Sequence, residues 1–172
     1  KAVGKATGTT VNDVVLAMCS GALRSYLLTH DALPEQPLIA MVPVSVRAAD
    51  DSDMGNSLSF AMANLGTNFE SAEERLEMVS ASMNAAKARM ATMTKAELID
   101  YAIAITSPLI LGNLTGMSGR FAPLFNVTIS NVPGPREQLY WNGAQLQGLY
   151  PASLLQDGYA LNITQTSYGD NM

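Results

Sequence analysis

The sequence predicts one α/β domain, a mixed β-sheet with flanking helices. Three observations support this fold class. The 172 residues are enough for one domain with a core of its own. Hydrophobic residues make up 48% of the chain, which excludes a disordered polymer. Helical and strand patterns are mixed along the chain without strict βαβ alternation, and this order indicates a mixed sheet.

The first helix is predicted over residues 10–29. Its apolar residues recur at the three- and four-residue spacing of one helical face, and Thr10 with Asp13 forms the start of a capping box. Two strands follow, over residues 38–46 and 58–65. Pro43 lies within the first strand and predicts a bulge or an edge position, because proline lacks a backbone donor.

Two further helices are predicted after these strands. The first covers residues 72–93 and begins with a capping box at Ser71 and Glu74. Its apolar stripe consists of Leu76, Val79, Met83, Ala86, Met90 and Met93. Thr94 and Glu97 repeat the capping pattern and open the second helix.

The densest apolar run, residues 98–111, is predicted to be a buried or interfacial helix. It is shorter than the ~20 apolar residues that a membrane span needs, and it contains Asp100 and Pro108. No transmembrane segment is therefore expected, and Pro108 is expected to kink or end the helix. Three glycines then predict a connector, at Gly112, Gly116 and Gly119.

The final third of the chain is predicted to be rich in strands. They cover residues 125–131, 144–150 and 159–167, with a turn at residues 141–143 before the second. The first strand ends abruptly, because Pro133 and Pro135 cannot continue a central ladder and Gly134 tolerates unusual backbone angles. Ser130 and Asn131 are thereby held at a strand end, with side chains on opposite faces. Such a strand end serves a site or a tight turn, and the residues alone leave both open.

The composition restricts the partners of the chain. A net charge of -5 without a cluster of Lys or Arg argues against nucleic acid. Only 15% of residues are charged and ten are Met, so much of the surface is apolar, and it is buried against something absent or faces lipid. The single Cys19 allows no internal disulfide and no cysteine-based metal site, and it is predicted to be a buried, inert thiol.

Few residues offer chemistry on their own. His30, the only histidine, lies at a predicted helix end, where a capping role suits it. An acidic loop lacks the ligand register and glycine of a calcium loop, so no metal site is predicted at Asp50, Asp51 and Asp53.

Three polar residues could each have a structural role or a role in a site. Asn12 and Asp13 suit the capping of the first helix, although Asn12 could also direct its amide toward a neighbouring element or a substrate. Arg47 ends a predicted strand, where it could bind an anion or pair with one of the acids that follow it.

Residues 130–135, reading Ser-Asn-Val-Pro-Gly-Pro, resemble a signature of the bifunctional wax ester synthase/diacylglycerol acyltransferase family. Three other segments are similar to the family in the same order, and the likeness covers essentially the whole chain. They are Asn12-Asp13, Pro43-Val44-Ser45-Val46-Arg47 with Gly55-Asn56 after it, and Ala160-Leu161-Asn162-Ile163 leading to Ser167-Tyr168. The resemblance is to the bacterial, Marinobacter-type members.

The resemblance implies one half of a two-domain fold like that of chloramphenicol acetyltransferase. Family members transfer a fatty acyl group from acyl-CoA, a co-substrate, to a long-chain alcohol or a diacylglycerol, without a tightly bound cofactor. The residues at motif positions then become supporting residues of a site, namely Asn12, Asp13, Arg47, Asn56, Ser130 and Asn131, with Pro133, Gly134 and Pro135 as the structural motif.

The family's proposed base is the second histidine of a His-His-x-x-x-Asp-Gly motif, and this sequence has no such motif. Residues 1–172 are therefore expected to be a single C-terminal domain, inactive without the N-terminal half as its partner. The expected location is the cytoplasm, with peripheral contact to the inner membrane or lipid inclusions. The alternatives are a non-catalytic module that binds lipid or membrane surfaces, and another CoA-dependent acyltransferase of the same fold.

Overall fold

The computed structural model describes residues 2–45, 58–117, 124–155, 159–169 and 171. The helices are α1 (Ala2–Thr7), α2 (Val11–Thr29), α3 (Ala72–Ala91) and α4 (Lys95–Thr115). The strands are β1 (Ile39–Ser45), β2 (Leu58–Asn64), β3 (Val127–Val132), β4 (Tyr140–Trp141), β5 (Ala144–Gln145) and β6 (Leu161–Thr166). The predicted helices and strands occur in the predicted order, and α1 and β4 are additional elements that the sequence did not indicate.

The main sheet has four strands in the order β2-β1-β3-β6. β1 pairs antiparallel with β2, whereas β1 with β3 and β3 with β6 are parallel pairs. The sheet is therefore mixed, as the sequence predicts. Because β1, β3 and β6 run in one direction, their carboxyl ends lie at the same edge of the sheet.

The core lies between one face of this sheet and helices α2 and α3. Apolar side chains of both helices pack against small and β-branched residues of the strands. The buried cluster is Leu16, Val79, Met83 and Met90 with Ala40, Val42, Ala61, Ala63, Leu65, Val127 and Ile129. Three residues of the α3 stripe, Val79, Met83 and Met90, are therefore buried inside this chain.

Capping explains where the helices begin. Thr10 and Asp13 form the predicted box, in which the Asp13 N–H donates to Thr10 Oγ1 (3.2 Å) and the Thr10 N–H donates to Asp13 Oδ2 (3.0 Å). Thr94 and Glu97 do the same for α4. At α3 the Ser71 side chain accepts from the first backbone N–H groups of the helix, as predicted. The Ser71 hydroxyl donates to the Glu73 carboxylate, whereas Glu74 was the predicted acid.

Pro43 lies in β1, which has a neighbouring strand on each of its two edges. The β1–β2 register is continuous through the pair Pro43↔Phe60, so no bulge forms. β3 pairs with β1 only at Ala40 and Met41. Beyond Met41 the strand β1 has a ladder on one side alone, which is the local edge that a proline needs.

Helix α4 does not end at Pro108, and its glycines do not all lie in a connector. It runs through Pro108 to Thr115, and Gly116 ends it in the left-handed conformation, at φ +67°. Proline removes the N–H that would bond the Ala104 carbonyl, and the Ser107 hydroxyl donates to that carbonyl instead (3.5 Å). Gly112 is helical, and Gly119 lies outside the described residues.

The length of α4 differs from the prediction as well. Its 21 residues are long and apolar enough to cross a membrane, by length and composition only, and almost none of them is buried. One such helix is weak evidence of a span, because other apolar helices pass the same test.

The predicted strand over residues 144–150 is mostly wrong. Only β5, Ala144–Gln145, pairs, and its partner is β4. The turn between them is correct, with Asn142 at φ 47° and Gly143 at φ 84°, the positive angles that a tight hairpin requires. Residues 146–150 are not part of either sheet, since a cleft separates them from β6.

Candidate functional site

Four predicted site residues lie toward one end of the sheet. Near the other end, Ser20 Oγ donates to the Leu65 carbonyl (2.6 Å) and Arg24 Nη1 donates to the Thr67 carbonyl (2.7 Å), where β2 ends. Helix α2 therefore runs opposite to β1 and β3. Its N-terminus, with Asn12 and Asp13, points to the end where β3 finishes at Ser130 and Asn131.

The two polar residues of β3 face different sides of the sheet. Val127 and Ile129 are buried in the core with α2 and α3, and strand alternation places Asn131 on that same face. Ser130 is on the opposite face, with Thr128. Asn131 thus shares the helix-covered side with Asn12 and Asp13, whereas Ser130 does not.

Asp13 is the most constrained of these residues, with a side chain only 1% exposed. Its Oδ2 accepts the capping hydrogen bond from the Thr10 N–H. Its Oδ1 is buried and has no hydrogen-bond partner among the described residues. A buried carboxylate oxygen without a donor is costly, so capping accounts for only half of this side chain.

A second buried polar group was missed in the sequence. The Ser59 hydroxyl is buried and has no partner among the described residues. Ser59 pairs with Val44 near the end of β1 and therefore lies toward the same end of the sheet as Asp13. A serine in the run Leu-Ser-Phe-Ala-Met-Ala looks like ordinary strand alternation, so no signal marked it.

Two predicted site residues, Arg47 and Asn56, lie outside the described residues. His30 is described, and it forms the C-cap of α2 with its ring 4.4 Å from that of Tyr26. The histidine is thus at the opposite end of α2 from Asp13, as a structural role requires. Within the described part of the chain, no group of three or more His, Cys, Asp or Glu is placed to hold a metal.

The corner after β3 is fixed to the end of β6. The Gly134 N–H donates to Ser167 Oγ (3.1 Å), and the Gly169 N–H donates to the Pro135 carbonyl (3.0 Å). A Cβ at Gly134 would overlap the Ser167 carbonyl oxygen. Glycine is required here for close approach of two backbones, not for the unusual backbone angles that the sequence suggested.

Tyr168 connects β6 to the β4–β5 hairpin. Its hydroxyl accepts from the Leu139 N–H (3.0 Å) and donates to the Leu146 carbonyl (3.0 Å). The Gln138 amide nitrogen lies 2.6 Å from the same oxygen. The Ser-Tyr pair after β6 is therefore explained by structure, because Ser167 holds the corner and Tyr168 holds the hairpin.

An apolar pocket of about 150 Å³ lies between α4 and the face of the sheet opposite the core. Its lining is Met41, Leu109, Phe125, Thr128, Leu154, Leu155, Tyr159, Leu161 and Asn162. Phe125 and Tyr159 stack with ring centroids 4.5 Å apart, and burial raises the pKa of Tyr159. The pocket is smaller than the ~300–1,000 Å³ of typical ligand sites, and its apolar lining suits part of a hydrocarbon chain.

Known proteins are similar to this chain in both sequence and fold. Residues 54–172 match the family model described as the WS/DGAT C-terminal domain. The chain is 49% identical over 170 residues to the O-acyltransferase WSD of Acinetobacter baylyi, covering 99% of this chain and 37% of that protein. It is 48% identical over 172 residues to a Mycobacterium tuberculosis protein named as a diacylglycerol O-acyltransferase, covering 100% of this chain and 38% of that protein.

A solved structure agrees. The wax ester synthase/diacylglycerol acyltransferase from Marinobacter aquaeolei superposes with a TM-score of 0.81 at 46% identity, covering 98% of this chain and 38% of that one. This likeness confirms the predicted half of a chloramphenicol-acetyltransferase-like fold. The chain spans less than two fifths of the length of these relatives. It belongs to the wax ester synthase/diacylglycerol acyltransferase family, and it matches the C-terminal domain.

Proposed function

We propose that this chain is the C-terminal half of an O-acyltransferase. The complete enzyme moves a fatty acyl group from acyl-CoA to a long-chain alcohol or a diacylglycerol, which forms wax esters or triacylglycerol. Membership of the family supports the reaction class. The proposed site is supported by one observation: Asn12, Asp13 and Asn131 lie on one side and toward one end of the sheet.

The reaction needs a base that the described residues do not place at this end. The alcohol oxygen attacks the thioester carbonyl, a C–O bond forms, and the C–S bond breaks. The base takes the hydroxyl proton and returns it to the departing CoA thiolate. Since His30 is at the far end of α2, we assign the base to the N-terminal half, and the isolated chain is proposed to be inactive.

The polar residues of this half then have supporting roles. We assign Asn12 and Asn131 as amide donors near the reacting acyl group or its channel. Asp13 orients its neighbours, because one oxygen holds the helix start and the other is open to a donor. A donor aimed at the developing oxyanion typically contributes ~2.7–4 kcal/mol, so the loss of one is visible in the rate.

Steady-state kinetics of the complete enzyme test the role of Asn131. We expect Asn131→Ala to lower kcat for ester formation by about 100-fold, if the amide is an oxyanion donor, with a small change in Tm. Asn126→Ala is the matched control. Asn126 Oδ1 accepts from the Ile39 N–H (2.7 Å) immediately before the start of β3, so its loss should cost stability and leave kcat unchanged. An unchanged rate with a large fall in Tm for Asn131→Ala would make that residue structural.

A second candidate function, contact with a lipid surface, is favoured by α4. Five large aliphatic residues of α4 are each more than half exposed, and four of them share a face, namely Ile99, Ile103, Ile110 and Leu114. At 3.6 residues per turn they fall on one face of the helix. Asp100 is the only charged residue between Ile99 and Leu114. We propose that this face contacts the membrane or a lipid inclusion from the cytoplasm, where lipid acceptors reside.

Flotation of the complete enzyme with liposomes tests this contact. We expect the double substitution Ile103→Gln and Ile110→Gln to reduce the floated fraction severalfold. Trp141→Gln is the control, because it removes an even more exposed apolar side chain from the β4–β5 hairpin. If the α4 variant floats like the native enzyme but loses stability, the rest of the enzyme covers this face. Flotation of an enzyme with no acyl transfer to any alcohol or diacylglycerol would favour a purely lipid-binding module.

A further inference from the structure

The C-terminal third of α4 is a weak stretch of helix. Pro108 removes one backbone hydrogen bond, and Gly112 is a poor helix former. The Ser107 hydroxyl replaces the lost donor, but its distance of 3.5 Å to the freed carbonyl oxygen is long for a hydrogen bond. Residues 109–115 therefore separate from the helix more readily than residues 95–105.

The same segment is weakly anchored to the rest of the chain. Among the residues of α4, all of which are described, only Ile105 is buried, and it precedes the proline. Leu109 and Gly112 follow Ile105 on the same helical face and are half-buried. Because glycine has no side chain, Leu109 is the main attachment of residues 109–115. A segment with one anchoring side chain moves at a low cost in free energy.

Leu109 forms one wall of the apolar pocket beneath α4. It is the residue through which α4 lines this pocket of about 150 Å³. Leu154 and Leu155 also line the pocket, and they lie at its mouth because their side chains are 92% and 56% exposed. A mouth edged by exposed leucines suits entry from a lipid phase, since apolar surface is unfavourable against water.

Residues 109–115 connect the pocket to the outer apolar face of α4. Ile110 and Leu114, the two members of that face beyond the proline, are 53% and 78% exposed. Leu109 is on the inner side of the same two helical turns. A bend at Pro108 would therefore move the pocket wall and the outer face together, and proline is the usual site of a bend in a helix.

We propose that residues 109–115 form a gate, which bends at Pro108 when the outer face of α4 binds a lipid surface and admits a hydrocarbon chain from that surface into the pocket. The proposal rests on the lipid contact of α4 that is proposed above. The lipid surface favours the bent state, because bending lets Ile110 and Leu114 leave water more completely. The ligand is the alkyl part of a membrane-held substrate. In water, Leu109 keeps the pocket closed.

The distance between two spin labels in the complete enzyme measures the bending. One label replaces Leu111, which is exposed but outside the four-residue outer face, and the other replaces the exposed Glu77 of α3. Cys19 and any cysteine of the N-terminal half are first replaced by serine. We expect liposomes to change this distance by several ångströms, and to leave it constant in Pro108→Ala, which restores the helical hydrogen bond. A constant distance in an enzyme that floats with liposomes would overturn the gate alone, whereas an enzyme that does not float would overturn the lipid contact as well.

Kinetics of two variants at the bend test its effect on substrate entry. Pro108→Ala stiffens α4, and we expect it to lower kcat/KM severalfold for a long-chain alcohol held in liposomes, with no fall in Tm or in the floated fraction. Ser107→Ala is the matched control, because it removes the hydroxyl that bonds the freed carbonyl and should lower Tm without lowering kcat/KM. Equal kcat/KM for Pro108→Ala and the native enzyme would contradict the gate. If the native enzyme forms no ester, the acyl-transfer function fails, and the label distances still decide the gate.

Discussion

At the scale of single residues, the Ser130–Pro135 corner depends on Gly134. The sequence correctly indicates a rigid strand end, because two prolines stop the ladder. It gives the wrong reason for the glycine, since the need arises from Ser167, which is 33 positions away in sequence. A contact between segments so distant in sequence leaves no local pattern, and only the fold shows it.

We predict that Gly134→Ala destabilises the protein by about 1–3 kcal/mol, because its Cβ meets a backbone carbonyl that cannot move aside freely. Chemical denaturation measures the change. Gly21→Ala is the control, since its Cβ meets only the flexible end of Arg75 and the helix gains up to ~1 kcal/mol. Equal stability of Gly134→Ala and the native protein would show that the corner is not tightly packed.

Substitutions at Asp13 and Thr10 distinguish the capping role of Asp13 from a role in supporting the site. We predict that Asp13→Asn in the complete enzyme lowers kcat by about tenfold or more, because an amide nitrogen replaces one carboxylate acceptor and a charged hydrogen bond is worth ~1.5–3 kcal/mol. Thr10→Ala removes the cap at a cost of ~1 kcal/mol of stability and should leave kcat unchanged. If the two substitutions affect stability alike and neither changes kcat, Asp13 is only a cap.

At the scale of helices and strands, the sequence predicts those features that depend only on neighbouring residues, such as helix caps. The caps at Thr10 and Thr94 follow from side chains three residues apart, and both are present. Pro108 shows the limit of such signals, because a helix continues through it once Ser107 bonds the freed carbonyl. Residues 146–150 have the pattern of a strand but pair with no strand among the described residues, because a local pattern cannot reveal whether a partner strand lies beside it.

The cap of α4 predicts a dependence on pH. The Thr94 N–H holds the pKa of Glu97 below its ordinary value of 4.5. The stabilisation is therefore present above that value and is lost as the pH falls through the lowered pKa in the folded state. We expect Glu97→Gln to reduce the loss of Tm between neutral pH and pH ~3. Glu77→Gln, on the exposed part of α3, is the control, and an identical acid response of all three proteins would exclude the cap as its cause.

At the scale of the whole molecule, the chain is a folded half whose surfaces call for partners. Its core is its own, because buried residues of α3 join those of α2, β1, β2 and β3 in one cluster. The apolar face of α4 and the outer edge of β6, which has no paired strand among the described residues, lie outside that core. The buried Oδ1 of Asp13 has no hydrogen-bond donor among those residues. The low fraction of charged residues indicated that part of the surface is apolar. The composition could not show which residues form that surface, because this depends on how α4 packs.

The central claim is that this half supports acyl transfer only together with an N-terminal half. The most direct test is to purify the chain alone and together with the N-terminal region of its gene, and to supply acyl-CoA with a long-chain alcohol or a diacylglycerol. We predict ester formation and release of free CoA from the folded pair, and neither product from this chain alone. A folded pair without activity, or a chain alone that forms the ester, would contradict the claim.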